Sequence, residues 1–117
     1  MAWQFERSEY RIPYPPSARA TFTLDGRTLP LVDCSERGLR YVSQGVARPE
    51  PGATVAGTVR LLSSRQPISV QGKVVRCEGD EVAVHLASPG LPMQAIFAEQ
   101  RHLARHFPAR YGPGPQR

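Results

Sequence analysis

A series of short segments in which apolar and polar residues alternate constrains the fold of this chain more than any other feature. Alternation with a period of two places every second side chain on one face of a β-strand. The segments are 18–24, 28–34, 39–43, 54–62, 68–78 and 81–87. Short turns join most of them, so the pattern predicts six antiparallel strands that form a small barrel or sandwich.

Turn and breaker residues give further detail. Asp25-Gly26 stands between the first two strands and is the strongest short hairpin signal. Pro30 cannot donate a backbone hydrogen bond, so we expect it at an edge and not inside a fully paired strand. Gly72 interrupts the fifth strand and suggests a β-bulge or bend there.

The periodicity changes after residue 92 from strand to helix. Apolar residues at helical spacing predict one amphipathic helix that plugs or flanks the sheet: Met93, Ile96, Phe97, Leu103, Ala104 and Phe107. Glu99, His102 and Arg105 are predicted to point away from this apolar face. Pro108 is expected to end the helix, and residues 108–117 are expected to form a disordered tail.

Length and composition indicate the broad class. A chain of 117 residues fits one domain. No apolar stretch approaches the roughly 18 residues that a membrane helix needs. No apolar signal-peptide region follows the N-terminus, so we expect a cytoplasmic location. Cys34 and Cys77 are then expected to be reduced thiols, and their separation matches no zinc-binding motif.

The chain carries a net charge of +5 with an isoelectric point near 9.9. This excess suggests an anionic partner such as a nucleotide, a nucleic acid or an acidic membrane surface. Of the 15 basic residues, 14 are arginine and one is lysine. Arginine is therefore so common that only arginines in a defined arrangement are informative.

Two short motifs supply such an arrangement. Arg7 and Arg11 form an RxxxR motif just before the first predicted strand, and "DCSERG" after the second holds Asp33, Ser35 and Gly38 as DxSxxG. Positions two apart in a strand share a face, so Asp33 and Ser35 can reach one ligand. Gly38 closes the turn, where we expect positive φ. Taken singly, each motif has a plain alternative: a solvated arginine segment paired with nearby glutamates, and an ordinary Asx turn.

Both motifs in this order, on a six-strand pattern with a C-terminal helix, resemble the PilZ domain family, whose members bind the bacterial second messenger cyclic di-GMP. The resemblance covers roughly residues 5–107. It implies an all-β fold: a six-stranded antiparallel β-barrel with a C-terminal accessory α-helix. It also implies that cyclic di-GMP is bound by Arg7, Arg11, Asp33, Ser35 and Gly38.

The residue types suit that ligand. The planar guanidinium of arginine binds the O6 and N7 edge of guanine or a phosphate with two parallel hydrogen bonds. A carboxylate such as that of Asp33 accepts hydrogen bonds from guanine N–H groups. Arg37 and Arg40 flank the second motif and are possible secondary contacts; the alternative is that both belong to the plain surface.

Other chemistry has weaker support. His102 and His106 have the i, i+4 spacing of two zinc ligands, but no glutamate of the HExxH kind and no third ligand accompany them. No nucleophile–base pair or paired carboxylates are suggested. We therefore expect no enzyme, no metal and no cofactor other than the ligand cyclic di-GMP. A small nucleic-acid-binding barrel would need exposed strand aromatics for stacking, and Phe22 and Tyr41 are the only aromatics in the predicted strands.

The resulting hypothesis is a cyclic di-GMP effector or adaptor with three parts. Residues 1–17 would be an arm that carries RxxxR and that little holds to the barrel before ligand binds. Residues 18–107 would form the barrel and helix, and residues 108–117 the tail. Ligand would order the arm, with one cyclic di-GMP expected per domain, and alter a surface read by an unidentified protein partner. A PilZ-like scaffold that binds protein without nucleotide and a nucleic-acid-binding barrel remain the alternatives.

Overall fold

β-strands are the main regular structure of the computed structural model, which describes residues 11–45 and 49–111. The strands are β1 (Ile12–Pro13), β2 (Thr21–Leu24), β3 (Arg27–Cys34), β4 (Gly38–Val42), β5 (Thr54–Arg60), β6 (Ile68–Glu78) and β7 (Glu81–Leu86). Two helices follow, α1 (Met93–His106) and α2 (Pro108–Tyr111). In this part of the chain, no helix is both long enough and apolar enough to cross a bilayer.

The six longer strands close into a barrel. The order in the sheet is β1-β3-β2-β5-β6-β7-β4, and β3 also pairs with β4, which joins the two ends. Every pairing is antiparallel. The predicted six-stranded antiparallel β-barrel with a C-terminal helix is therefore confirmed. The two-residue strand β1, which pairs with Cys34 and Asp33 of β3, is an addition that the alternation pattern did not predict.

The hairpin between β2 and β3 follows from its two turn residues. Asp25 and Gly26 have φ angles of 53° and 80°, the left-handed pair of a type I′ turn, whose twist matches that of the strands. The expectation that Pro30 lies at an edge was wrong, because β3 pairs with β2 on one side and with β1 and β4 on the other; Pro30 is instead at the end of the region paired with β2. The Leu31 N–H donates to the carbonyl of Ala20, just before β2. The nitrogen of Pro30 therefore faces the other side, towards β4, with which pairing begins only at Leu31.

Gly72 in β6 has a structural role other than the predicted bulge or bend. The register of β6 against β7 shifts between Val74 and Arg76, so the bulge lies at Val75 and not at Gly72. A Cβ on Gly72 would collide with the backbone carbonyl of His85. Gly72 therefore allows two strands to approach closely, which any side chain would prevent.

The barrel interior is filled by the alternate side chains of the strands. Phe22 and Tyr41 are both 1% exposed, and their ring centroids lie 5.3 Å apart in a tilted contact. Cys34 is buried and Cys77 is partly buried, and both are free thiols. Since both strand aromatics lie in the core, neither offers a ring on which an exposed base could stack.

The buried face of α1 differs from the predicted one. Ile96, Glu99 and Leu103 are fully buried, whereas Met93 and Phe97 are 37% and 46% exposed. The spacings of three and four residues put Glu99 on the same stripe as its two apolar neighbours. The prediction that Glu99 points away from the apolar face was wrong because polar groups of the barrel and the N-terminal segment meet its carboxylate.

Tyr14 anchors the N-terminal segment to α1 through that carboxylate. The Tyr14 hydroxyl donates to Glu99 Oε2 at 2.5 Å, and the backbone N–H groups of Leu62 and Ser63 donate to the two Glu99 oxygens at 2.9 Å each. Together with the pairing of β1, these bonds hold residues 11–14 against the barrel. The expectation that little holds this part of the arm was wrong.

The C-terminal end agrees with the prediction at one position and differs at the next. Helix α1 ends at His106, before Pro108, as the proline predicts. Pro108 then begins the short helix α2 instead of a disordered tail, which suits its preference for the first position of a helix. Residues 112–117 lie outside the described residues.

Candidate functional site

A β-bulge in β3 brings Asp33 to the outer face of the barrel. Leu31 pairs with Tyr41 and Asp33 with Arg40, so Val32 is an extra residue between them. Leu31 and Cys34 are both fully buried although they are three residues apart, which strict alternation forbids. The bulge changes which side chains face outward, and Asp33 therefore lies beside Arg40.

The Asp33 carboxylate lies between two arginines. Arg11 Nη1 is 3.2 Å from Oδ1, while Arg40 donates to Oδ2 from Nε at 3.2 Å and also from Nη2. The Asp33 side chain is only 5% exposed, whereas those of Arg11 and Arg40 are 46% and 32% exposed. The hydrogen bond to Asp33 is the main cause that raises the pKa of Arg40. A buried carboxylate thus fixes two guanidinium groups whose other N–H groups reach solvent.

Gly38 and Ser35 lie directly beside this cluster. Ser35 donates from its backbone N–H and from Oγ to the carbonyl of Gly38, at 2.8 and 3.4 Å. A Cβ built on Gly38 would lie 3.4 Å from Ser35 Oγ and 3.6 Å from Arg11 Nη2. Gly38 is absent from the described residues with positive φ. The predicted positive φ is therefore wrong, because Gly38 is the first residue of β4 and has extended backbone.

Above these residues is an open pocket of about 340 Å³ on the outer face of β4, β7 and β6. Its lining consists of Arg11, Arg37, Gly38, Leu39, Arg40, Val75, Arg76, Ala83, Val84 and His85. Arginines of the N-terminal segment and of β4 therefore form one side, and residues of β6 and β7 form the other. Such a concave site, lined by four arginines, suits a small anionic ligand.

Arg37 is held in place by β7. Its Nε donates to the carbonyl of Leu86 at 3.1 Å, and the Leu86 N–H donates to the Arg37 carbonyl at 2.8 Å. These reciprocal bonds fix the turn between β3 and β4 against the end of β7. Because Arg37 lines the pocket and Arg40 binds Asp33, both differ from plain surface arginines.

The structure thus brings together Arg11, Asp33, Ser35 and Gly38, with Arg37 and Arg40 around them. Arg7 lies outside the described residues. The sequence interpretation missed the other wall of the pocket: Val75, Arg76 and His85. A signal was present, since Val74 and Cys77 are three residues apart although both are candidates for the inner face of one strand. That spacing requires a bulge between them.

Neither metal nor catalytic chemistry gains support from the described residues. The rings of His102 and His106 are 4.4 Å apart, but within 11–45 and 49–111 no group of three metal-ligating side chains comes together. The Asp33 carboxylate is occupied by two guanidinium groups. The arrangement suits binding of an anion and a planar base.

Comparisons with known proteins bear on the fold and on the family of this chain. No curated protein matches the sequence. The crystal structure of an uncharacterized Legionella protein superposes with a TM-score of 0.53 at 14% identity, covering 86% of this chain and 94% of that one; at such identity the likeness concerns the fold alone. The model of the PilZ domain matches residues 5–106, which include both motifs, all seven strands and α1. PilZ domains are in general non-enzymatic binding domains that act as cyclic di-GMP adaptors or effectors, and this chain belongs to the PilZ domain family.

Proposed function

We propose that this chain binds cyclic di-GMP in the outer-face pocket and acts as an effector or adaptor. The observation that carries the proposal is the cluster of Arg11, Asp33 and Arg40 beside a cationic pocket, on a chain that belongs to the PilZ family. The ligand contacts are Arg7, Arg11, Asp33, Ser35 and Gly38, with Arg37 and Arg40 as secondary contacts. The protein needs no metal or cofactor for binding.

The role of each group follows from its position. Asp33 orients the guanidinium groups of Arg11 and Arg40, and these bind guanine edges or phosphates of the ligand. Gly38 leaves the space in which a base can approach the backbone. Ser35 lies at the edge of that space, with its Oγ within contact distance of a Cβ placed on Gly38.

The proposed output runs through the N-terminal segment. Contacts of Arg7 and Arg11 with the ligand order residues 6–10 over the pocket. Tyr14, three residues after Arg11, donates a hydrogen bond to Glu99 of α1. The position of the segment is thereby linked to α1, which exposes Met93 and Phe97. Binding changes this surface for a protein partner. Amide exchange with and without ligand tests the ordering: added protection at residues 6–10 is expected, and equal exchange would refute it.

Calorimetric titration in buffer containing EDTA tests the proposed ligand. Cyclic di-GMP should bind with a micromolar or lower dissociation constant at a molar ratio of one, whereas GTP and single-stranded DNA bind far more weakly. Asp33→Ala should remove most of this affinity because both arginines lose their orienting partner.

Equal affinity for cyclic di-GMP and GTP at the same salt concentration would refute the proposal. Complete absence of nucleotide binding would favour a protein-binding scaffold, and preferential binding of DNA would favour the nucleic-acid alternative.

A further inference from the structure

The wall of the pocket opposite the two motifs is built by a second bulge. Val74 pairs with Val84 and Arg76 with Ala83, so Val75 is the extra residue in β6. Val74 is buried, whereas Val75 is 53% exposed and Arg76 is also exposed. Without the bulge, Arg76 would point into the barrel; with it, Val75 and Arg76 both reach the outer face and line the pocket.

Arg76 lies in the same row of cross-strand neighbours as the Asp33 cluster. Asp33 pairs with Arg40, Arg40 pairs with Ala83, and Ala83 pairs with Arg76. The backbones of Arg40 and Arg76 are thus two strand spacings apart, about 10 Å. The small side chain of Ala83 lies between them and forms the floor, so two guanidinium-bearing residues flank one pocket.

The charges on the two walls are compensated to different degrees. Arg11 and Arg40 share the Asp33 carboxylate, and Arg40 Nη1 also lies 3.3 Å from Glu81 Oε1. Much of the positive charge on that wall is therefore neutralised within the protein. Arg76 is paired only loosely with Glu78, at 3.8 Å between side chains that are 62% and 68% exposed. Such an exposed pair contributes little energy and is easily exchanged for an anion.

We propose that Arg76 is a ligand-binding residue outside both motifs and that it contacts a phosphate of the bound nucleotide. This inference rests on the proposed function. Cyclic di-GMP has two phosphodiester groups and therefore two negative charges. A ligand held over Ala83, with one side at Arg11 and Arg40, presents its other side to Arg76. The guanidinium of Arg76 leaves Glu78 and binds phosphate oxygens there.

Arg76→Ala tests this contact, with Arg27→Ala as the matched control. Arg27 is an exposed arginine of β3 at the hairpin end, away from Asp33, so both variants lose one positive charge and only one lacks a pocket residue. Loss of one charge-assisted hydrogen bond should raise the dissociation constant of cyclic di-GMP about tenfold or more in Arg76→Ala. Arg27→Ala should bind as the original chain does. Since both side chains are exposed, both variants should keep the melting temperature.

Titrations at several salt concentrations assign the contact to a phosphate. Log affinity should fall less steeply with log salt concentration in Arg76→Ala than in Arg27→Ala, because one phosphate contact is missing. Equal affinities of the two variants would overturn the inference while leaving the proposed function intact. Weaker binding with an unchanged salt dependence would overturn the phosphate assignment. If the original chain does not bind cyclic di-GMP, both proposals fail.

Discussion

Gly38 occupies the outer row of β4, where the absence of a side chain leaves room above the pocket floor. Its backbone is extended, so the reason for glycine here is space and not left-handed conformation. A Cβ placed on it meets its nearest neighbours at 3.4 to 3.6 Å, which is ordinary van der Waals contact. The folded chain without ligand therefore tolerates a methyl group at this position.

Gly38→Ala should consequently separate stability from binding. The melting temperature should stay within about 2 °C of the original value, because a change below 0.5 kcal/mol shifts a domain of this size only slightly. Affinity for cyclic di-GMP should fall, because the methyl group projects between Ser35 Oγ and Arg11 Nη2 into the space assigned to the ligand. Thermal melting and calorimetric titration measure the two effects. Unchanged affinity of Gly38→Ala for cyclic di-GMP would show that Gly38 does not belong to the ligand site.

At the scale of elements, a buried carboxylate adds polar bonds to the contact that Ile96 and Leu103 of α1 make with the barrel. Glu99 accepts hydrogen bonds from the Tyr14 hydroxyl and from the backbone N–H groups of Leu62 and Ser63. It therefore joins the helix, the segment that carries Arg11, and the loop between β5 and β6. A purely apolar residue on this stripe would fill the space but leave three donors without their acceptor.

Glu99→Ala should thus destabilise the protein far more than an ordinary change on a helix. Each buried donor left without a partner costs about 1–3 kcal/mol, so the free energy of unfolding should fall by about 3 kcal/mol or more. The free energy of unfolding of Glu99→Gln should lie between those of the original chain and Glu99→Ala, because the glutamine amide keeps only one acceptor oxygen. Urea denaturation measures these changes, with Gln94→Ala on the exposed face of α1 as the control. A loss for Glu99→Ala no larger than that of the control would show that the network contributes little to stability.

At the scale of the whole molecule, the same network makes the free energy of unfolding sensitive to pH in the alkaline range. Burial raises the pKa of the Cys34 thiol to about 12 from an ordinary 9.0, and burial also raises the pKa of Tyr14 far above its usual range. Tyr14 lies 3.6 Å from Cys34 Sγ. Since the Tyr14 proton is donated to Glu99, its oxygen accepts from the thiol. Both groups are therefore held in their protonated forms by the fold.

The free energy of unfolding should be independent of these two groups below about pH 8 and should fall above pH 9. Between the ordinary pKa values and the raised ones, the unfolded chain loses protons that the folded chain keeps, and this favours unfolding. Each group contributes a slope of up to about 1.4 kcal/mol per pH unit. Urea denaturation from pH 7 to pH 11 measures it. Cys34→Ala should give a shallower fall, and identical slopes for both chains would contradict the role of the thiol.

The elements that the sequence predicted correctly depend on local chemistry. Alternation defined the six longer strands, and their ends differ from the predicted ones by three residues or fewer. Asp25-Gly26 determined a type I′ turn because those two residues accept positive φ, and Pro108 ended α1 because proline cannot continue a helix. The motif residues from Arg11 to Gly38 also came together, because both motifs flank the adjoining strands β1, β3 and β4.

Tertiary structure alone decided which side chains face the pocket and which are buried. A bulge changes the face of every residue after it. The positions of the bulges, at Val32 and Val75, depend on how neighbouring strands pair, and the alternation within one strand does not locate them. Glu99 is buried because Tyr14 and two backbone N–H groups, distant in sequence, meet it. Local periodicity predicts that a charged residue is exposed to solvent. Burial of a carboxylate is favourable only when partners from elsewhere in the chain satisfy its oxygens, and the local pattern does not contain those partners.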